Sequence, residues 1–143
     1  MNVRFIGYIV SFSLFSIAPV CAHSEPQKWR CTAEKDGTKH DLTVLVDGDR
    51  IVGFDYLAFT KSEAGTNSCS VQPAKGKAPN ISGNVTTFPL LDTDTAIVQK
   101  KGNGIDFDFS NAKLMNYCGQ SATIAASLII KKESHTCQSV VNQ

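Results

Sequence analysis

The stretch TAIVQKKGNGIDFDF, residues 95–109, decides the fold class of this chain. Its two arms, Thr95 to Lys100 and Ile105 to Phe109, flank a glycine-rich turn. In the second arm one isoleucine and two phenylalanines alternate with Asp106 and Asp108, which is the period-two pattern of a strand with one buried face. The stretch therefore predicts a β-hairpin whose aspartates lie on the wet face and are not paired catalytic acids.

Similar patterns precede this hairpin. Trp29 to Lys35 and His40 to Val46 flank Asp36-Gly37, a dipeptide typical of two-residue hairpin turns. Arg50 to Phe59 is rich in β-branched and aromatic residues and predicts a further strand. Turns recur at short intervals, so we expect an all-β domain, a small antiparallel barrel or sandwich of about seven or eight short strands.

Three segments carry weaker patterns. Lys61 to Asn67 (KSEAGTN) is polar and contains a glycine, which predicts an exposed loop. Pro73 to Gly83 contains two prolines and two glycines and predicts an irregular segment. Gly119 to Ala126 fits either a short helix or an extended loop.

The first 22 residues have the layout of an export signal. Arg4 precedes an apolar run from Phe5 to Val20, and Val20-Cys21-Ala22 fits the small-x-small cleavage pattern. The run is shorter than the roughly 20 residues of a spanning helix, although a retained anchor and a lipid on Cys21 stay as alternatives. We expect a signal peptide over residues 1–22, one domain over residues 23–143, and a periplasmic or secreted location.

The net charge of the chain without its first 22 residues argues against two classes of partner, nucleic acids and anionic membranes. Without residues 1–22 the count of Lys and Arg falls from 14 to 13, equal to the 13 acidic residues, so the formal net charge is zero. Nucleic-acid and anionic membrane binding favour a basic excess. The sequence therefore predicts no nucleic-acid partner and, because no long apolar run follows residue 22, no transmembrane segment in the mature chain.

Cleavage would also remove Cys21 and leave four cysteines: Cys31, Cys69, Cys118 and Cys137. An even number in a small exported domain predicts two disulfides. No CxxC pair occurs and the histidines are scattered, so we expect no metal site. Three pairings are possible. We favour Cys31–Cys69 and Cys118–Cys137, since each closes a segment within one half of the chain.

Motifs of catalysis are missing from the sequence. It contains no GxSxG, HExxH, P-loop or GxGxxG pattern. We therefore expect a protein that is not an enzyme and takes no cofactor. The enzyme alternative requires that His40 or His135 meet a carboxylate in a cleft. Trp29 is expected in the core, with an exposed aromatic platform as the alternative.

Two stretches resemble small exported bacterial proteins. Trp29-Arg30-Cys31, followed by Asp36-Gly37-Thr38 and the alternating LTVLV of residues 42–46, resembles the opening of the C-type lysozyme inhibitors of the bacterial envelope. Tyr117-Cys118-Gly119, with Cys137 near the end, is similar to the C-terminal disulfide segment of periplasmic proteins of that build.

The resemblance implies an inhibitory loop. These inhibitors carry a Ser-Gly-x-x-Tyr loop whose serine and a nearby lysine enter the lysozyme cleft. The nearest match here is SEAGT, residues 62–66, preceded by a lysine; its glycine is displaced and the tyrosine is absent. The hairpin tip at Lys100-Lys101 is a rival for the same role. The residues that the resemblance assigns to the loop are Lys61, Ser62, Glu63, Gly65 and Thr66.

Together these features predict an exported protein with a protein partner. It would bind and inhibit a peptidoglycan-degrading enzyme, either a host lysozyme or a competitor's toxin, in which case it is an immunity protein. The alternative is a non-catalytic structural or ligand-binding envelope protein, which predicts an apolar cavity between the sheets. Both roles suit a stapled scaffold whose strands hold loops in a binding shape.

Overall fold

The computed structural model describes residues 25–63, 65–119 and 122–143, most of which lie in β-strands. The predicted signal peptide, residues 1–22, lies outside the described residues. No helix in the described part of the chain has the length and apolar character that crossing a bilayer requires. The described strands are β1 (Gln27–Lys35), β2 (Thr38–Asp47), β3 (Arg50–Ser62), β4 (Gly65–Val71), β5 (Asn80–Ser82), β6 (Val85–Pro89), β7 (Thr95–Lys101), β8 (Gly104–Asp108), β9 (Ala125–Lys131) and β10 (Gln138–Asn142).

The first half of the chain forms an antiparallel sheet in the order β1-β2-β3-β4. β1 and β2 meet at Asp36 and Gly37, whose φ angles are 50° and 74°. Positive φ at both central positions is what a two-residue hairpin turn requires, and aspartate and glycine are among the residues that accept it. Leu42, Val44 and Val46 of β2 face inward and are buried. The first predicted hairpin is therefore confirmed.

The second half forms an antiparallel sheet in the order β10-β9-β8-β7-β6-β5. β7 and β8 pair from Ile97 and Asp108 to Lys101 and Gly104, as the alternation in residues 95–109 predicts. The isoleucine and phenylalanines of residues 105–109 are buried, whereas the aspartates between them lie on the opposite face. The second predicted hairpin is confirmed as well.

Aromatic rings from both sheets meet between them. Phe54 of β3 packs against Phe88, Phe107 and Phe109 with ring centroids 5.3, 5.4 and 5.7 Å apart. Edge-to-face contacts of this kind add to the area that each ring buries. The sheets do not close into a barrel, so the predicted all-β class is confirmed in its sandwich form. The described residues contain ten strands, more than predicted, partly because β5 lies in a segment expected to be irregular.

For two other segments, the structure overturns one prediction and decides between the alternatives of the other. The loop expected over Lys61 to Asn67 is wrong, since β3 continues to Ser62 and β4 begins at Gly65. The end of this hairpin extends past the rest of the sheet, and both of its faces are exposed to solvent. Its residues are therefore polar on both faces and do not show the alternation of apolar and polar residues that marks a half-buried strand. Between Gly119 and Ala126 the described residues form no helix and lead into β9, while residues 120 and 121 lie outside the description.

Two disulfides are present, but the predicted pairing, Cys31–Cys69 and Cys118–Cys137, is wrong. The bridges are Cys31–Cys137 and Cys69–Cys118. Cys31 lies on β1 and Cys69 on β4, which are opposite edges of the first sheet with two strands between them. Three spacings of about 4.8 Å place such residues roughly 14 Å apart, beyond the reach of a disulfide of about 7 Å between Cα atoms. Each cysteine therefore bonds to the second half of the chain.

Backbone hydrogen bonds accompany each bridge. Beside Cys31, Thr32 N–H donates to His135 O at 2.9 Å, and Cys137 N–H donates to Thr32 O at 3.0 Å. Beside Cys69, Ser70 N–H donates to the carbonyl oxygen of residue 117 at 3.1 Å. The bridges span 106 and 49 residues. In the chain-entropy treatment, loops of these lengths correspond to about 4–5 kcal/mol of stabilisation each.

A tryptic digest without reductant tests the pairing, because Lys or Arg residues separate all four cysteines. We expect mass spectrometry to find fragment 31–35 linked to fragment 133–143, and fragment 62–75 linked to fragment 114–131. Reduction before digestion should release all four fragments. A link between fragments 31–35 and 62–75 would contradict the strand order of the first sheet.

Candidate functional site

The residues that the resemblance assigns to an inhibitory loop lie together at the tip of the β3–β4 hairpin. β3 pairs with β2 as far as Thr60 and then continues with two residues that pair with β4 alone. The tip therefore projects past the end of β2 and is open to another molecule. Its predicted members are all exposed: Lys61, Ser62, Glu63, Gly65 and Thr66.

A hydrogen bond inside the tip fixes its shape. Ser62 Oγ donates to the carbonyl oxygen of Gly65 at 3.1 Å. Gly65 has a φ of 130°, which side chains with a Cβ rarely adopt. Gly65, which is displaced from the glycine position of the inhibitors' motif, therefore supplies the backbone conformation that this turn needs. The serine hydroxyl uses its proton within the turn and presents lone pairs to its surroundings.

A cationic and aromatic surface borders the tip, and we name it the tip surface: Lys39, Phe59, Lys61, Thr66 and Ser68. Phe59 lies opposite Lys39 on one side and Ser68 on the other, and Lys61 lies opposite Thr66. Residues directly opposite each other share a face of the sheet. Phe59 is 36% exposed, so part of its ring is open to a partner. Lys61 forms no ion pair with any described residue.

The rival tip between β7 and β8 differs in its electrostatics. Lys100 Nζ lies 2.5 Å from Asp49 Oδ1, and Lys101 Nζ lies 2.6 Å from Asp106 Oδ2. Both ammonium groups thus have a carboxylate partner already. A new pairing with another protein would break an existing one, so the β3–β4 tip is better suited to insert a cation into a foreign site.

The enzyme alternative requires a histidine beside a carboxylate, and neither described histidine forms an ion pair. His40 is fully buried on the inner face of β2. Its Nδ1 forms a hydrogen bond of 2.7 Å with Tyr56 Oη, which also accepts the Ala125 N–H at 2.7 Å. Burial lowers the pKa of His40 below 6.5, and Asn142 offsets part of this effect. Tyr56, which contacts the His40 ring, therefore links the two sheets.

Because of this burial, we expect the free energy of unfolding to fall as the pH drops below 6.5. The unfolded chain binds a proton at the ordinary histidine pKa, whereas the folded chain binds it only at lower pH, so acid favours unfolding in this window. Urea titrations between about pH 5 and pH 8 measure the slope.

His135, which is exposed, provides the matched control. The slope should persist in His135→Gln and vanish in His40→Gln, and an NMR titration of the unmutated chain should place the His40 ring below pH 6.5. A His40 ring that titrates at or above that pH would contradict the burial of this side chain.

A buried carboxylate that the sequence did not single out holds the segment before Cys118. Asp94 Oδ2 accepts hydrogen bonds from Lys113 N–H at 2.9 Å and from Asn116 Nδ2 and Tyr117 Oη at 3.0 Å each. These donors, the Lys113 N–H above all, hold the pKa of Asp94 below its usual value. Burial, reinforced by Asp94, raises the pKa of Tyr117 to about 12, so its hydroxyl stays a donor. This cluster positions Cys118.

Other kinds of site find no support in the described residues. No group of three or more His, Cys, Asp or Glu side chains among them could hold a metal ion. No protein-family model, curated protein or solved structure matches the chain. The role of this protein is therefore inferred from the shape and charge of its own surfaces, and its similarity to the lysozyme inhibitors stays a prediction.

Proposed function

We propose that this chain is an exported protein that binds a peptidoglycan-degrading enzyme and blocks its catalytic cleft with the β3–β4 tip. The observation that carries the proposal is a projecting, internally hydrogen-bonded hairpin whose Lys61 has no carboxylate partner among the described residues. The target is a host lysozyme or a competitor's toxin, and in the second case the chain is an immunity protein.

The chemistry of the target's cleft suits this tip. Glycosidases that cleave peptidoglycan hold two carboxyl groups about 5–9 Å apart. An inserted lysine forms a charge-assisted hydrogen bond with the ionised group, and this bond is stronger in a dry cleft than in water. The second group is a protonated acid, which can donate to the free lone pairs of Ser62 Oγ. The tip thus offers one partner for each carboxyl group.

Rigidity lowers the cost of binding. The Ser62–Gly65 hydrogen bond fixes the turn, and the Cys69–Cys118 disulfide fastens β4 three residues beyond Thr66. A preorganised tip loses little conformational freedom when it docks. Phe59, next to Lys61 on the same face, supplies an aromatic contact of the kind that is enriched at the energetic centres of interfaces.

The compartment and the core also support surface recognition. Two disulfides are typical of proteins that fold in an oxidising space, and peptidoglycan lies in such a space. A carrier of apolar ligands needs a cavity between its sheets. Here Phe54, Phe88, Phe107 and Phe109 are nearly fully buried and occupy that interior.

We expect the purified chain to slow muramidase lysis of a cell-wall suspension, followed as turbidity. Lys61→Ala should weaken inhibition by roughly 30-fold, because truncating one partner of a buried charge pair costs about 2 kcal/mol or more. Phe59→Ala should weaken it by about tenfold through the lost aromatic contact. Lys61 is exposed, so the thermal midpoint of Lys61→Ala should stay unchanged, whereas Phe59→Ala should lower it slightly because part of that ring is covered.

Lys101→Ala is the matched control, since it removes an exposed lysine from the opposite tip and should leave inhibition intact. Equal losses in Lys61→Ala and Lys101→Ala would refute the assignment to the β3–β4 tip. Failure to inhibit any host or bacterial muramidase at about 10 μM would refute the function itself.

A further inference from the structure

A second surface lies at the far end of the sandwich. Three cavities of about 410, 430 and 400 Å³ adjoin there. The first and second share Asp49, Lys100 and Gly102, and the second and third share Trp29 and Lys132. The three cavities thus lie side by side at this end of the molecule, and together we name them the cationic groove.

Charge is concentrated in this groove. Of the 13 basic and 13 acidic residues after residue 22, six basic and two acidic ones line it, which leaves seven and eleven elsewhere. The residues that line the groove thus carry a formal charge of +4, or +3 once Asp41, the partner of Arg30, is counted with them. The lining charges are Lys28, Arg30, Arg50, Lys100, Lys131 and Lys132 against Asp49 and Glu133.

Most of these cations lack a partner. Arg30 pairs with Asp41 and Lys100 with Asp49, whereas the other four basic residues form no ion pair with any described residue. A groove focuses the field of the charges along its walls and raises the local concentration of an oppositely charged ligand. The ligand that fits is therefore an anion with several charges spaced along its length.

The centre of the groove adds an aromatic face. Trp29, the only tryptophan of the chain, is half-buried and lines the second and third cavities. Gln27 and Asn103 line the second cavity with it. Amides both donate and accept hydrogen bonds, as hydroxyl groups of a ligand require. An indole face with amides and cations around it suits a sugar ring that bears hydroxyl and carboxylate groups.

A polypeptide ligand fits less well. Peptides bind by adding a strand to an open sheet edge or by filling apolar pockets. The β1 edge is occupied at Thr32 by backbone hydrogen bonds to the segment before β10, so an added strand could pair only with the short part of the edge before Thr32. The lining around Trp29 is mainly polar and charged.

We infer that the cationic groove binds a strand of carboxylate-bearing polysaccharide, with Trp29 against one sugar ring and Arg50, Lys131 and Lys132 paired with carboxylates. The groove and the β3–β4 tip lie at opposite ends of β3, which runs from Arg50 to Ser62. At about 3.3 Å per residue they are roughly 40 Å apart. One molecule can therefore rest on an acidic envelope polymer while its tip stays free.

The fluorescence of Trp29 reports on this site directly. Titration with polygalacturonate should change the emission and reach saturation, and the affinity should fall as NaCl rises from about 50 to 200 mM. Dextran has no carboxylates and poly-glutamate has no sugar rings, so each should bind at least tenfold more weakly because it lacks one of the two kinds of contact, charge pairing or stacking. Binding of either as tightly as polygalacturonate, or no saturation with polygalacturonate, would overturn the inference.

Variants test the named residues by calorimetry. Lys132→Gln and Arg50→Gln should each weaken polygalacturonate binding by about fivefold through a lost charge-assisted hydrogen bond. Trp29→Ala should weaken it by about tenfold, and Trp29→Phe should restore most of it. Lys75→Gln, an exposed lysine outside the groove, should have no effect. Equal losses in Lys75→Gln and Lys132→Gln, with unchanged thermal midpoints, would mean that charge alone and not the groove binds the polymer.

Discussion

The two disulfides each join the first sheet to the second half of the chain, and the rest of the structure depends on this cross-fastening. β1 and β4 are edge strands, and an open edge presents unpaired N–H and C=O groups. Thr32 and Ser70 instead form backbone hydrogen bonds with second-half residues beside each bridge. The sheets are thereby held in one orientation around the aromatic core, and the turns at both ends of the sandwich have fixed positions.

Short-range patterns in the sequence predict much of this fold. Asp36-Gly37 and the alternation over residues 105–109 involve only near neighbours, and both hairpins are present. Disulfide pairing depends on which sheet edges meet, which is a property of strand order. Cys31 and Cys69 belong to the same sheet, yet two strands lie between them. The polar composition of residues 61–67 predicts a loop where the structure has a hairpin. Both faces of this hairpin are exposed to solvent, so its sequence lacks the alternation of apolar and polar residues by which strands are recognised.

The candidate sites divide in the same way. The tip residues are consecutive, so the sequence could name them as a group even though their conformation was wrongly predicted. The groove is assembled from the start of β1 and four separate connections, and its charges cancel against the rest of the chain. Neither spacing nor net charge could reveal it. Asp94 was likewise hidden, because its three donors come from a segment about 20 residues further along, an arrangement that follows from tertiary packing.

The strand order of the first sheet also governs the timing of oxidation. Cys31 and Cys69 precede Cys118 and Cys137 in the order of synthesis. Once β1 to β4 have assembled, those two early thiols stand on opposite borders of the sheet and cannot react with each other. Each waits for a partner that arrives later. The geometry of the first sheet thus prevents a Cys31–Cys69 disulfide, which would have to be isomerised before the native bridges could form.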